Sequence, residues 1–362
     1  MDILHIQSNL KIALPVGLSF FTFSELSYIF DVYNGKSKPQ KNIILFTLYV
    51  SFFGKISMGP IVSYHEMEDQ LTNRTLSKAQ YASGIVLFSK GLIKKVLLAN
   101  QLSYVYSILQ NNTSTLGVWL LAICYMLQIY FDFSGYSDMA IGLSRFFGFD
   151  FKPNFDHPYT ATSVQDFWRK WHISLSQWFR DYLYIPLGGN RVDKNTYIRN
   201  IFIVWFCTGL WHGASWNFVF WGLYYGMFIF FEMLIGKKRM KKMPVPLAHI
   251  YTKLVIFIGF GIFYFENLGS LGTFFKSLVG ANGNKLTDTV TQHLFMNNIW
   301  LFAAAVLFTM PVIPKIKEKA LSAKGTAYFM QSAGILCNAA ILVLSSVLLV
   351  NTTNNPFLYF RF

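Results

Sequence analysis

The chain has 362 residues, of which 53% are hydrophobic, 18% aromatic and 13% charged, and its formal net charge is +14. Soluble domains carry about 25% charged residues, so this composition excludes an ordinary soluble protein and points to one embedded in lipid. The basic excess does not imply nucleic acid, because the lysines and arginines sit in loops between apolar runs. Anionic lipid headgroups are their expected partner.

In chain order, residues 1–13 hold charges but no apolar core before a small-residue cleavage site, so no cleavable signal peptide is expected. Residues 14–32 form a first aromatic-rich segment, interrupted by Glu25 and closed by Asp31. Residues 43–62 form a second, ended or kinked by Gly59-Pro60. A mixed-charge loop follows over 65–78. Residues 78–100 then set Lys90, Lys94 and Lys95 among aliphatic residues, which predicts a helix lying partly in the membrane interface. A spanning helix is predicted over 115–133, broken at the polar cluster 132–138, where Gly135 permits the break.

Residues 149–199 hold most of the central charges, many aromatics and three prolines. They read as short amphipathic helices lining a surface or a re-entrant cavity. Beyond them lie the paired apolar run 201–235 and further runs at 254–265, 299–313 and 325–350. Crossing a hydrocarbon core of about 30 Å takes roughly 20 helical residues. The runs lack strict alternation, so helices rather than a barrel satisfy the backbone. The expected fold is all-α and polytopic, one membrane domain over 1–362. Basic loops at 237–242 and 315–324 are expected inside, and the lysine-poor loops 110–117 and 266–298 outside. Cys124, Cys207 and Cys337 fall inside apolar runs without metal or redox spacing and read as small buried hydrophobes.

Two histidines stand out. His212 lies in Leu210-Trp-His-Gly-Ala-Ser-Trp216, in a region uncharged from Ile201 until Glu232. An ionisable ring in such a run is costly, so it is read as a general base facing a polar cavity, with Gly209 and Gly213 allowing a substrate chain to approach. The alternative is a core histidine satisfied by a backbone carbonyl. His172 follows Trp168, Arg169, Lys170 and Trp171. On a helix, Trp168, Trp171 or His172, and Leu175 share a face, where a second histidine could orient an acceptor or hold a thioester carbonyl. An interfacial aromatic belt with snorkelling cations explains the same pattern. Gln128, Asp132 and Tyr136, four apart, form a polar stripe toward the interior, either for substrate or for backbone groups. Arg180, Asp181 and Arg191 either pair with one another or meet a phosphate-rich donor. The chain has no phosphate-binding glycine loop, no His-Glu-x-x-His, no clustered Cys/His metal spacing and no Gly-x-Ser-x-Gly elbow. Acyl transfer from an already activated thioester fits what is left.

Several pieces carry a family likeness: Leu14-Pro-Val-Gly-Leu-Ser-Phe-Phe-Thr-Phe23, Gly59-Pro-Ile-Val62, Gln128-Ile-Tyr-Phe-Asp-Phe-Ser-Gly-Tyr-Ser-Asp-Met-Ala140 and Asp166-Phe-Trp-Arg-Lys-Trp-His-Ile-Ser-Leu-Ser176. Arg180-Asp-Tyr-Leu-Tyr-Ile-Pro-Leu-Gly-Gly-Asn-Arg191, Gly209-Leu-Trp-His-Gly213 and Asn355-Pro-Phe-Leu-Tyr-Phe-Arg-Phe362 complete the set. In this order they resemble the membrane-bound O-acyltransferases, specifically the bacterial branch of alginate O-acetylation membrane proteins. The resemblance implies a funnel-shaped helical fold in the bacterial plasma membrane, with the active site at the funnel's depth. His212 matches the family's essential histidine and His172 the second active-site position. Trp168, Arg169, Trp171, Trp211, Gln128, Asp132 and Arg180 are the substrate-binding candidates. The resemblance further implies acetyl transfer from acetyl-CoA, without a bound cofactor or metal, toward an extracytoplasmic polysaccharide or a partner acetyltransferase. D-alanyl transfer to teichoic acid is the rival enzyme reading, and a non-catalytic carrier or scaffold for lipid-linked sugars the rival outside enzymes. Members of that branch usually carry spanning helices ahead of the Leu14 piece, where thirteen residues stand here, so the expected fold is one short of its N-terminal spans.

Overall fold

The structure is a computed structural model that describes residues 17–322 and 326–350. The Asn355–Phe362 motif and the first residues of the Leu14 motif lie outside the described residues. No strand occurs among the described residues, so the fold is all-α as expected. The helices are α1 Leu18–Tyr33, α2 Ile43–Ser51, α3 Tyr64–Asn73, α4 Lys78–Leu92, α5 Asn100–Leu109, α6 Thr115–Phe146, α7 Val164–Lys170, α8 Ile173–Phe179, α9 Lys194–His212 and α10 Trp216–Ile235. A basic turn, α11 Lys237–Met240, precedes α12 Val245–Tyr264, α13 Leu268–Leu278, α14 Thr289–Asn297, α15 Ile299–Thr309, α16 Val312–Ser322 and α17 Thr326–Val350.

Among the described residues, α6, α10, α12 and the stretch Ser332–Val350 of α17 are long and apolar enough to cross a membrane. The pair α14 and α15, bent by 61°, raises the count to five if it is one span. The protein is therefore a multi-pass membrane protein, with α6 as its central post. At 1.5 Å per residue the 32 residues of α6 reach about 48 Å, more than the hydrocarbon core needs.

Three expectations are corrected. First, α6 does not break at the polar cluster. Gly135 packs a neighbour instead: a Cβ there would stand 2.8 Å from the Gly91 carbonyl oxygen, and one on Gly142 would stand 2.7 Å from that of Gly84. Glycines seven apart on α4 and α6 thus bring the two backbones together, a close approach that small residues permit between membrane helices. Second, residues 78–100 do not present Lys94 and Lys95 to a membrane interface. α4 packs along α6 and continues through a π-helical turn, Ile93–Ala99, that buries both Lys94 and Lys95. Lys95 Nζ donates to Asp132 Oδ1 at 2.6 Å and Lys94 Nζ to Asp138 Oδ2 at 2.7 Å. The aspartates that the broken-helix reading left to backbone groups are thereby satisfied within an unbroken helix. Third, α2 stops at Ser51, well before Gly59-Pro60, because the chain folds back on itself there. A Cβ on Gly59 would meet the Gly54 carbonyl oxygen at 2.0 Å.

The loops expected on one side of the membrane do lie together. Thr115 N and Leu116 N donate to the carbonyls of Lys285 and Leu286, and Asn112 Nδ2 donates to Asp288. Tyr106 and Tyr264 share a hydrogen bond of 2.6 Å at the same end. The basic α11 turn is at the opposite end of α12, a helix of 20 residues and about 30 Å.

Candidate active site

The segment between α6 and α9 builds one wall of the site. The α7 start is capped twice. Ser163 Oγ accepts from Asp166 N at 3.0 Å, and the buried Glu232 carboxylate, reaching across from α10, accepts from Val164 N at 2.6 Å and Gln165 N at 3.0 Å. A carboxylate at exposed helix-start amides is favourable, so Glu232 fixes where α7 begins and hence where Trp168 and Arg169 stand.

The single helix expected through Trp168, Trp171 and Leu175 is two. α7 ends at Lys170 and α8 starts at Ile173, with His172 between them in a left-handed conformation, φ 44° and ψ 56°. For a non-glycine residue that costs on the order of 1 to 3 kcal/mol. The helix-face argument therefore fails at Trp171 and His172, although both still reach the same cavity. Asn154, 1% exposed in the loop before α7, supports the turn: its backbone carbonyl accepts from Ile173 N at 2.9 Å and its Oδ1 from Ser174 N at 3.1 Å.

The opposite wall is the hairpin of α9 and α10. Gly209 and Gly222 let the two helices touch, since a Cβ on Gly222 would sit 2.2 Å from the Trp205 carbonyl oxygen and one on Gly209 2.4 Å from that of Phe218. His212 is the last residue of α9. Its ring lies edge-on to Trp221 at 4.9 Å, Phe263 at 5.1 Å and Trp211 at 4.6 Å between centroids.

These walls enclose a cavity of about 50 Å³, lined by Asp132, Trp168, Trp171, His172, His212 and Trp221 among others. A larger cleft of about 390 Å³ adjoins it, lined by Trp168, His172 and Leu175 in common with the cavity and by Arg169, Arg180, Tyr184 and Tyr197 of its own. His172 thus stands where cleft and cavity meet. From the cleft the way to His212 therefore leads past His172.

The structure gathers most of the expected site residues. His212, His172, Trp168, Trp171 and Asp132 meet in the cavity, and Arg169 and Arg180 line the cleft, Arg180 holding Asp181 by two bonds of 2.7 and 3.1 Å. Trp211 is packed behind the histidines, 6.1 Å from the His172 ring, rather than in the lining. Gln128 is buried in α6 and lines neither space, and its Oε1 accepts no hydrogen bond among the described residues. Sequence reasoning missed Asn154, Glu232 and Lys95. Glu232 was signalled only as the first charge after a long uncharged run, and Asn154 only by the turn-prone Pro153-Asn154 pair.

A family model described as the membrane-bound O-acyltransferase family matches residues 16–271. The chain is 42% identical over 269 residues to the probable alginate O-acetylase AlgI of Pseudomonas fluorescens, a match that covers 74% of this chain and 54% of that one. It is 33% identical to the peptidoglycan O-acetyltransferase of Helicobacter pylori, over 98% of this chain and 76% of that one. With the teichoic acid D-alanyltransferase of Bacillus subtilis it shares 28% identity over 69% of this chain and 68% of that one. The matched stretch spans about half the length of the Pseudomonas fluorescens and Pseudomonas aeruginosa relatives.

Proposed function

The chain belongs to the membrane-bound O-acyltransferase family, and on that premise we propose that it moves acetyl groups from acetyl-CoA to hydroxyls of an extracytoplasmic polysaccharide, directly or through a partner acetyltransferase. One observation carries the reading: His172 and His212, far apart in sequence, line one buried cavity that adjoins a cleft bearing two arginines.

In this reading the acceptor hydroxyl attacks the thioester carbonyl while His212 takes its proton. The new C–O bond forms, the C–S bond breaks, and His212 returns the proton to the departing thiolate. Arg169 and Arg180 meet the donor's phosphates, which suit a guanidinium fork. His172 positions one of the reacting groups, the acceptor hydroxyl or the thioester carbonyl. The cleft is lined by the early part of α9, from Tyr197, and by Ile229 late in α10, so it opens toward the end that carries the basic α11 turn. By the positive-inside bias that end is cytoplasmic in a bacterial plasma membrane, the side on which acetyl-CoA is found, and His212 sits toward the far end of the same hairpin.

The test is base-released acetate from the envelope of a strain lacking its own copy, rescued by this chain or by His212→Ala at matched membrane levels. Acetate restored by the unchanged chain and not by the variant supports the mechanism. Equal rescue by both would make His212 structural.

A further inference from the structure

We propose that Asn154 is a positioning residue that holds His172 in its Nδ1–H form, so that the Nε2 lone pair is offered to the substrate and His172 receives a hydrogen bond rather than giving one. The proposal rests on the acyl-transfer reading for its substrate and decides which of the two tasks open to a second histidine this one performs.

The orientation of the Asn154 amide is fixed by its donors. Asn154 Oδ1 lies 3.1 Å from Ser174 N, 3.0 Å from Ser174 Oγ and 3.3 Å from His172 Nδ1. A backbone N–H can donate to the amide oxygen but not to the amide nitrogen, so the Ser174 contact settles that the oxygen faces this group of donors. An acceptor oxygen opposite Nδ1 requires the proton there, and a neutral imidazole has only one N–H. Nε2 is then a bare lone pair, and it has no hydrogen-bond partner among the described residues. Because Asn154 also accepts from Ile173 N on its own carbonyl, the same residue supports the left-handed turn that His172 occupies. Rings hold the imidazole from several sides: Phe133 edge-on at 4.7 Å, Trp211 at 6.1 Å, Phe20 and Phe155 stacked at 6.4 Å. Turning the ring over would take it through that collar and leave Oδ1 one donor short.

The partner of Nε2 must bring a proton, as a sugar hydroxyl does and a thioester carbonyl does not. His172 is therefore assigned to the acceptor and not to the donor's carbonyl. The charged and titratable groups around it are His212, Tyr225 and Asp132, the last paired with Lys95, in the cavity, and Arg169, Arg180, Tyr184 and Tyr197 in the cleft. Among the described residues no carboxylate lies on Nδ1, where a neutral amide stands instead, and this distinguishes the arrangement from one that favours imidazolium.

Asn154→Asp tests it, since the carboxylate keeps an acceptor oxygen in place while adding the charge that the amide lacks. In inside-out membrane vesicles supplied with labelled acetyl-CoA, label entering the alkali-labile envelope fraction is followed against pH. An opposite charge at hydrogen-bond distance raises a histidine pKa by about one unit or more. The acid limb of the Asn154→Asp profile is expected to move to higher pH by that much, with the rate recovering at the alkaline end. Asn154→Ala is expected to lose about tenfold or more at every pH, and in a His172→Ala background Asn154→Asp should shift nothing further. An unmoved profile, or the same shift without His172, overturns the proposal. A readout independent of turnover is the ¹⁵N spectrum of histidine-labelled protein, in which the resonances lost in His172→Ala should report a protonated Nδ1 and a bare Nε2, with double protonation setting in at higher pH in Asn154→Asp than in the unchanged chain. The opposite tautomer would sink the idea even if vesicles transfer acetate normally. Conversely, the expected tautomer in vesicles that incorporate no label would count against the acyl-transfer reading and not against the role of Asn154.

Discussion

Lys55 is 2% exposed, and its ammonium donates to Ser24 Oγ at 2.8 Å beneath the Tyr49 ring, 3.8 Å from the centroid. Burial pulls its pKa down to about 7, with the charge of Glu25 opposing. Between that value and the ordinary lysine range the unfolded chain binds the proton more readily than the folded one, so stability rises with pH across that window. Below it, both states are charged and the full cost of the buried cation is felt. From pH 7 to pH 8 the gain is roughly 1 kcal/mol. Thermal unfolding in detergent should show an apparent Tm that climbs over this interval in the unchanged chain and stays flatter in Lys55→Met. Parallel slopes would mean that the lysine is already neutral or hydrated. The same scale explains what the sequence displayed and what it hid. His212 and His172 were legible because an ionisable ring among apolar residues is costly wherever it sits. Lys95 was not, since α-helical spacing left it beside Lys94 and Lys90 on a seemingly interfacial face. Only the π-helical turn sends two successive lysines toward α6.

Between elements, the joint of α4 and α6 makes a test in which one substitution has opposite signs at two places. Alanine at Gly135 or Gly142 would put a Cβ 2.8 or 2.7 Å from a backbone oxygen of α4, with no flexible side chain to give way. Each should lower stability by about 1 to 3 kcal/mol, the usual cost of overpacking. Alanine at Gly272, in α13 with nothing within 4 Å of the new Cβ, should instead add up to about 1 kcal/mol through helix propensity. Unfolding midpoints of the three variants decide it, and a Gly135→Ala protein as stable as Gly272→Ala would show that α4 and α6 sit farther apart. The glycines also explain why an interrupted α6 was the natural expectation. Glycine in a polar cluster marks a break when read locally, and its packing role depends on a second helix that local pattern does not reveal. At α7 and α8 the sequence supported short helices with a shared aromatic face. The break at His172 depends on Asn154, which is distant in pattern though near in space. The clamp of Glu232 on α7 is legible only after α10 is placed beside it. Glu232→Gln retains oxygen for one helix-start amide, so it should keep more of the transfer activity than Glu232→Ala, measured as envelope acetate at matched protein levels.

For the whole molecule, the question is which end of the helices would face the proposed donor, acetyl-CoA. The described residues form two ends: one where loops around Asn112, Lys285 and Asp288 meet, and one that carries the α11 turn and the mouth of the arginine cleft. The positive-inside bias puts the basic end in the cytoplasm, and the proposed mechanism requires the same assignment, because a coenzyme thioester entering through the cleft would have to come from the side where it is made. The two arguments are independent, one resting on insertion and the other on chemistry. Lys241→Cys and Lys285→Cys, in a background with Cys124, Cys207 and Cys337 changed to alanine, test that shared assignment with a thiol reagent that cannot cross the membrane. Cells stripped of their outer barriers should label Lys285→Cys at once and Lys241→Cys only after lysis. The reverse pattern would leave the arginine cleft on the outside, where no acetyl-CoA is available, and the cleft would then belong to the acceptor. Supplying the same cells with labelled acetate or labelled D-alanine completes the test. Acetate reaching the envelope only when His212 is present identifies the group transferred, and D-alanine doing so would place this chain functionally with its teichoic acid relatives despite their lower identity.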